Sequence, residues 1–277
     1  MKEKILELLK QYSGHEFIEL TSRGNTAIMA ALQCCRRLSP KSKVLIPDQG
    51  GWLTYEEYGK KLGMEVVKLK TDKGLINVED LKTKVDDAGC LIYHNPGGYF
   101  VEQPISEIYK ICKGKCLVIL DVCGCISDTN YGEYCDLSVC SFGRWKPINV
   151  GYGGFISVKE QKHFDISKEI LETQNFDTTN YPKLLEKLEH VKERFNLFYE
   201  KCSKIKQELK EFNVLHRESK GINVVVTFSN DEEKEKLIKY CNENNYEYTI
   251  CPRYIRVNEN AISIEVKRIN RGVKKWL

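Results

Sequence analysis

Short apolar runs alternate with stretches of helical periodicity between Phe17 and Val158. The helical stretches carry apolar residues at three- and four-residue steps, whereas the short runs are almost continuously apolar. Strands that alternate with helices in this way predict an α/β fold with a mostly parallel sheet and helices on both faces. The predicted strands are 17–20, 43–46, 64–69, 90–93, 116–120, 137–142 and 154–158, and the predicted helices are 26–35, 54–62, 78–85 and 105–112.

A second pattern begins near residue 181. Apolar residues recur at three- and four-residue steps from Leu184 to Phe212, which predicts one long amphipathic helix. We therefore expect a large domain at residues 14–180, followed at residues 181–277 by the long helix and a small α/β lobe. The lobe is predicted to hold strands at 223–228, 246–250 and 261–266 and a helix at 231–242.

The composition predicts a soluble globular protein, and the cysteines, considered below, predict a cytoplasmic location. Hydrophobic residues make up 42% of the chain, and no apolar run approaches the roughly 20 residues that a membrane span needs. The opening residues predict a short amphipathic helix rather than a signal peptide. The net charge of +4 gives no reason to expect a nucleic-acid partner. Twelve cysteines without a secretion signal predict reduced thiols, and their spacing contains no paired Cys-x-x-Cys set, so we expect no metal site.

Two predicted strands end next to residues with useful chemistry. Lys146 follows the run at 137–142 and precedes a glycine-rich turn, and Asp121 ends the run at 116–120. A lysine in such a loop can form a Schiff base with an aldehyde cofactor. A buried aspartate needs a partner, and a protonated pyridine nitrogen is one. Because ligands bind at the carboxyl ends of parallel strands, both residues indicate pyridoxal-phosphate chemistry at that edge of the sheet.

The segment around Lys146 resembles the DegT-type sugar aminotransferases, a family of fold-type-I pyridoxal-phosphate enzymes. That family has a Ser-Phe-x-x-x-Lys segment followed by Gly-x-Gly-Gly, which here reads Ser141-Phe142 to Lys146 and then Gly151-Tyr152-Gly153-Gly154. The resemblance extends from about residue 16 to 212. It implies that Lys146 holds the cofactor as a Schiff base and then acts as general base. It also implies that Asp121 keeps the pyridine nitrogen protonated and that Ser141 contacts the phosphate.

The same resemblance suggests the remaining contacts. Gly24, Asn25 and Thr26 open a helix and match the phosphate-binding turn of the family. Trp52 is expected to stack on the pyridine ring, and Asn95, in a His-Asn-Pro turn, to bond the ring hydroxyl. Asn180 is expected to reach the phosphate of a neighbouring subunit, since these relatives form homodimers with shared active sites. Arg253 and Arg256 are both candidates for binding a substrate carboxylate.

The function implied is a pyridoxal-phosphate-dependent aminotransferase that moves an amino group from an amino-acid donor to a carbonyl acceptor. Three alternatives stay open. Cys123 and Cys125, just after Asp121, would suit a lyase or a sulfur-transfer enzyme. The shortened chain, with Gly124 where the family has a polar residue, would suit a degenerate protein that binds without turnover. A nucleic-acid-linked role would use the basic run Lys267, Arg268, Arg271, Lys274 and Lys275.

Overall fold

A computed structural model describes residues 1–128 and 131–269 and shows strands that alternate with helices. The strands are β1 (Phe17–Thr21), β2 (Lys43–Pro47), β3 (Glu65–Leu69), β4 (Thr71–Asp72), β5 (Leu75–Ile76), β6 (Ala88–His94), β7 (Leu117–Asp121), β8 (Leu137–Ser141), β9 (Gly154–Val158), β10 (Val224–Thr227), β11 (Tyr248–Cys251) and β12 (Ala261–Ile264). The helices are α1 (Lys2–Ser13), α2 (Gly24–Leu38), α3 (Leu53–Lys61), α4 (Val78–Lys84), α5 (Ile105–Cys112), α6 (Gln161–Ile170), α7 (Tyr181–Glu189), α8 (Val191–Glu208) and α9 (Asp231–Glu243). Within the described ranges, no helix has both the length and the apolar character that crossing a membrane requires.

Seven strands form one mixed sheet in the order β1-β9-β8-β7-β6-β2-β3. The five strands from β8 to β3 in this order pair in parallel, whereas β9 runs antiparallel to both β8 and β1. The mostly parallel sheet expected from the sequence is therefore confirmed. Strands β1, β2, β6, β7 and β8 all end at the same edge, so the residues that follow them are brought together there.

Both faces of the sheet are covered by helices. All seven residues of β6 are buried. Leu91 and Tyr93 pack in the apolar cluster that contains α1, α7 and α8, whereas Cys90 and Ile92 pack in the cluster that contains α2 and α3. Successive side chains of a strand point to opposite faces, so a strand covered on both sides must be apolar throughout. This explains why the sequence shows continuous apolar runs rather than alternation.

The long helix expected from the sequence is confirmed as α8, but it does not extend over all of 184–212, because the chain forms two helices there. α7 ends at Glu189 and α8 begins at Val191, and His190 between them has φ −108° and ψ 9°. The hydroxyl of Tyr12 on α1 donates to the carbonyl of Leu188 at 3.1 Å, which gives a partner to a group at the end of α7. The break leaves no mark on the apolar spacing, which continues through it, so periodicity alone could not reveal it.

A buried ionic cluster lies beside the smaller sheet, an antiparallel sheet in the order β10-β12-β11. The carboxylate of Glu265 accepts hydrogen bonds from Nε and Nη2 of Arg256 at 2.8 and 2.7 Å and from Nζ of Lys267 at 2.9 Å. The side chains of Arg256, Glu265 and Lys267 are 2%, 0% and 3% exposed. Burial opposes ionisation of Glu265, but Arg256 and Lys267 outweigh it and hold its pKa well below the usual range.

This cluster corrects the picture of a solvated basic run at the C-terminus. Lys267 is buried against Glu265, and Arg268 forms ion pairs with Glu247 and Glu265. Neither side chain is free to form part of an exposed basic surface. The other members of the run, Arg271, Lys274 and Lys275, lie outside the described residues.

The Glu265 cluster is expected to dominate the stability of the C-terminal sheet. Replacing Glu265→Gln leaves the buried guanidinium of Arg256 without its carboxylate, and removal of one partner of a buried ion pair costs about 3–5 kcal/mol. Urea unfolding should show a loss of that size. The control is Glu247→Gln, whose side chain is 49% exposed, and which should change the unfolding free energy by no more than about 0.5 kcal/mol. Equal effects of the two substitutions would contradict this account.

Candidate active site

A narrow cleft opens at the edge of the large sheet where β7 and β8 end and α2 begins. The empty space along it, part of which is open to solvent, amounts to about 260 Å³. Six of the nine residues predicted to bind the cofactor line this one cleft, as expected for residues at parallel strand ends. The lining residues are Gly24, Asn25, Ile28, Trp52, Asp121, Cys123, Val139, Cys140, Ser141 and Lys146.

Lys146 presents its amine to this cleft between aromatic rings. Nζ donates a hydrogen bond to the hydroxyl of Tyr99 at 2.8 Å and lies 4.1 Å from the centroid of the Trp52 ring. Burial disfavours the ammonium, but Tyr99, Cys123 and Asp121 outweigh it and raise the pKa of Lys146 above its ordinary value. The amine is therefore protonated at neutral pH, and it must give up a proton before it can act as a nucleophile.

Asp121 ends β7 and its side chain is held by two donors. It is 4% exposed. Its Oδ2 accepts from the hydroxyl of Tyr55 on α3 at 2.7 Å, and its Oδ1 accepts from the backbone N–H of Cys123 at 3.1 Å. Each carboxylate oxygen can accept more than one hydrogen bond. Asp121 is thus fixed in orientation, and it can still accept a further hydrogen bond from a donor in the cleft.

The first turn of α2 packs directly against Ser141. A Cβ on Gly24 would lie 2.3 Å from the Cβ of Ser141, so only glycine allows this approach. The first N–H groups of a helix lack intrahelical partners, and the side chain of Arg23 does not cap them. Backbone N–H groups beside a hydroxyl suit an anion. The next residue, Asn25, accepts from Nε1 of Trp52 at 3.0 Å and so fixes the orientation of the indole.

Three of the predicted site residues lie outside the cleft. The hydroxyl of Thr26 is 3.3 Å from that of Ser22 and borders a neighbouring groove. The side chain of Asn180, in the loop before α7, donates to the carbonyl of Asp177 at 3.3 Å. Asn95 is buried, and its Oδ1 accepts from the backbone N–H of Gln103 at 2.9 Å. The roles that the sequence suggests for these three residues stay predictions.

The sheet register explains the position of Asn95. His94, not Asn95, is in register with Asp121 across the parallel pair β6 and β7. Side chains of paired residues lie on the same face and the next residue points away. Asn95 accordingly borders a different groove, which Glu102 and Asp128 also line.

His94 and Tyr99 lie beside the amine and the carboxylate of the site, although neither was predicted to have a role there. The His94 side chain is buried, and its Nε2 has no hydrogen-bond partner within the described ranges. Its ring contacts that of Tyr99 edge-on, with 4.2 Å between centroids. Burial lowers the pKa of His94 to about 4, so the imidazole is neutral at pH 7. In the sequence, the one feature that could have indicated a role for His94 is its position beside Asn95 in the His-Asn-Pro turn.

The two arginine candidates differ in their surroundings. Nε and Nη2 of Arg256 are bonded to Glu265, and its Nη1 donates to the carbonyl of Ile255 at 2.7 Å. Arg256 is thus engaged within the protein and is not free to bind a substrate carboxylate. Arg253 is exposed.

The twelve cysteines are unpaired, and all but Cys116 are buried. Two of them, Cys123 and Cys140, line the cleft. The sulfur of Cys123 accepts from the backbone N–H of Ser141 at 3.1 Å, and burial raises the pKa of Cys140, which is therefore a protonated thiol. In residues 1–128 and 131–269, no group of three His, Cys, Asp or Glu side chains is arranged to ligate a metal.

Comparisons with known proteins bear on the fold and the family. Among solved structures, the chain is similar to NtdA from Bacillus subtilis with bound cofactor PMP, at 15% identity and a TM-score of 0.78 over 95% of this chain and 72% of that one. It is similar to a DegT DnrJ EryC1 StrS aminotransferase from Brucella abortus, at 16% identity and 0.75 over 95% and 84%. It is also similar to Helicobacter pylori PseC, an aminotransferase involved in the biosynthesis of pseudoaminic acid, at 12% identity and 0.73 over 94% and 84%. At such identities these structures show the fold, which is that of fold-type-I pyridoxal-phosphate enzymes.

Family models divide the chain in two. The model of the MJ1341 family C-terminal domain matches residues 192–273. A comparison with curated proteins gave no match. The model of the DegT/DnrJ/EryC1/StrS aminotransferase family matches residues 2–179, well over half of the chain. The protein therefore belongs to the DegT/DnrJ/EryC1/StrS aminotransferase family.

Proposed function

We propose that this chain is a pyridoxal-phosphate-dependent aminotransferase that moves an amino group from an amino-acid donor to a carbonyl acceptor. The observation that carries the proposal is the presence of the Lys146 amine, the Asp121 carboxylate and the Gly24–Ser141 contact in one cleft. Family membership supports amino-group transfer. The bound PMP named for the NtdA structure supports the choice of cofactor.

The residues of the cleft fit this cofactor. Gly24 lets the start of α2 approach Ser141 closely, so that backbone N–H groups and the Ser141 hydroxyl lie together and would hold the phosphate. The indole of Trp52, fixed by Asn25, would stack on the ring, and Asp121 would accept a hydrogen bond from the ring nitrogen. When bound, pyridoxal phosphate supplies an aldehyde for the lysine and a ring that withdraws electrons from the substrate.

The protein itself supplies proton handling and orientation. Lys146 acts first as a nucleophile and later as the general base that removes a substrate proton, and both tasks need the neutral amine. Asp121 can keep a ring nitrogen protonated, because Tyr55 and the N–H of Cys123 hold its carboxylate in place. Trp52 and Tyr99 cover the amine and limit the access of water to it.

A lyase or sulfur-transfer reaction is the second candidate, and the position of Cys123 favours it. This thiol lines the same cleft as Lys146. Neither an elimination nor a sulfur transfer leaves the amino group on the cofactor. Neither reaction would therefore give a keto acid together with an aminated cofactor. Cys123→Ala would abolish a reaction in which this thiol takes up sulfur, whereas amino-group transfer should survive it.

The proposal predicts a half-reaction in the absence of acceptor. Purified protein loaded with pyridoxal phosphate, when mixed with a panel of amino acids, should change its visible absorbance with at least one of them and release the matching keto acid in an amount equal to the sites. Lys146→Ala should abolish both signals, and Asp121→Asn should bind the cofactor but lose most of the rate, because an amide cannot hold the ring proton. A protein that binds the cofactor and reacts with no amino acid would support the degenerate alternative instead.

We also propose that the protein is a homodimer. Leu53, next to Trp52 at the cleft, is a large apolar side chain that is 60% exposed. A second copy of the chain would cover it, and Asn180 would exchange its hydrogen bond to Asp177 for one to the phosphate of the neighbouring site, as the family resemblance implies.

Light scattering should therefore give about twice the chain mass of 32.1 kDa. Leu53→Asp should shift the mass toward that of the single chain, while Ile250→Asp, at an exposed apolar residue on β11 in the smaller sheet, should not. An active, cofactor-loaded monomer would contradict the proposed dimer.

A further inference from the structure

Two strained aromatic residues flank the reactive amine. Tyr99 has φ 73° and Trp145, the residue before Lys146, has φ 71°. Bulky residues rarely adopt the left-handed region, which is strained for them and persists only where the surroundings impose it. Strain of this kind concentrates at functional sites, and Tyr99 contacts the amine of Lys146.

The ring of Tyr99 is surrounded by ionisable groups from several parts of the fold. Its centroid lies 5.4 Å from Nζ of Lys146. From the C-terminal part of the chain, Nζ of Lys267 lies 4.6 Å away and Cζ of Arg256 5.1 Å away. His94 packs against the ring from β6, and Asp121 and Cys123 act on it electrostatically from the end of β7.

The backbone of Tyr99 makes a second connection to the C-terminal part. Its carbonyl accepts from the N–H groups of Ile222 at 2.8 Å and Asn223 at 3.0 Å. The side chain of Asn223 in turn donates to Glu265 at 3.1 Å. Tyr99 is therefore held on one side by the Glu265 cluster, while its hydroxyl holds Lys146 on the other.

We infer that Tyr99 is a positioning residue for Lys146, through which the C-terminal part of the chain fixes the direction of the reactive amine. The role of that amine rests on the proposed function, whereas the hydrogen bond itself does not. A general base must lie within hydrogen-bond reach of its proton, so a group that fixes the amine affects the rate.

The hydroxyl is suited to this task because it remains uncharged. Burial raises the pKa of Tyr99, and the neighbouring Lys146 ammonium only partly offsets this. A neutral hydroxyl accepts a hydrogen bond from the ammonium and stabilises it. Removal of the hydroxyl should therefore lower the pKa of Lys146 and increase the fraction of neutral amine at a given pH.

The test compares Tyr99→Phe with Tyr93→Phe. Phenylalanine keeps the ring that covers the amine, so any change reports the hydroxyl. Tyr93 is a matched control, since it is also buried and its hydroxyl has no partner in the described part of the chain. The cofactor-free proteins are labelled with acetic anhydride at several pH values, and the peptide that contains Lys146 is quantified by mass spectrometry against the exposed Lys60.

In Tyr99→Phe, acetic anhydride should label Lys146 about tenfold faster than in the wild type at pH values below the pKa of Lys146. This is the change expected for the loss of a hydrogen bond to a charged group. Tyr93→Phe should match the wild type. An unchanged labelling profile in Tyr99→Phe would overturn the inference.

Turnover separates this inference from the proposed function. In the cofactor-loaded enzyme, Tyr99→Phe should lower kcat by about 10- to 100-fold with KM nearly unchanged, because the amine loses its fixed direction. Changed labelling together with a wild type that never turns over would refute the proposed function and leave the positioning role standing. Normal turnover in Tyr99→Phe would contradict the positioning role.

Discussion

The direction of the parallel strands is the constraint on which the rest of this structure depends. Because β6, β7 and β8 run the same way, their last residues, His94, Asp121 and Ser141, meet at one edge of the sheet. The loop after β8 brings Lys146 back over this edge, and the tight Gly24–Ser141 contact brings the start of α2 to it. The cleft is thus a consequence of strand topology, and the chemistry follows from which residues stand at the strand ends.

Period and position along the sequence were enough to locate the framework, Lys146 and Asp121, whereas the family resemblance suggested the other predicted residues that line the cleft. Continuous apolar runs identified the buried strands, and Lys146 and Asp121 could be found because Asp121 ends one such run and Lys146 lies in the loop after another. Asn95 shows the limit of this approach. The His-Asn-Pro turn indicated the right strand end, but the register of β6 against β7 decides which of two adjacent residues shares the face of Asp121, and that register is set by pairing between strands. The hairpin of β4 and β5 and the helix α6 also escaped prediction, because their apolar patterns are short.

Contacts between distant parts of the chain could not be predicted at all. Tyr99, Arg256 and Lys267 share one ring environment although more than half the sequence separates the first from the others. The basic run at the C-terminus is typical of a solvated chain end when it is considered alone. The buried carboxylate of Glu265 explains why the side chains of Arg256 and Lys267 lie inside the protein. Glu265 is bonded to Asn223, whose backbone N–H donates to the carbonyl of Tyr99, and the hydroxyl of Tyr99 contacts Lys146. The C-terminal part of the chain is therefore expected to influence the cleft without lining it.

The central claim is that Lys146 forms the covalent link to the cofactor. The most direct measurement is reduction of the pyridoxal-phosphate-loaded protein with borohydride, followed by digestion and peptide mass analysis. Lys267 is an internal competitor in this experiment, because it is the other amine near Tyr99 and burial lowers its pKa to about 7, which makes it the more readily deprotonated of the two. The account predicts that the pyridoxyl group is found on the peptide that contains Lys146. A pyridoxyl group on Lys267, or on any lysine outside the cleft, would contradict it.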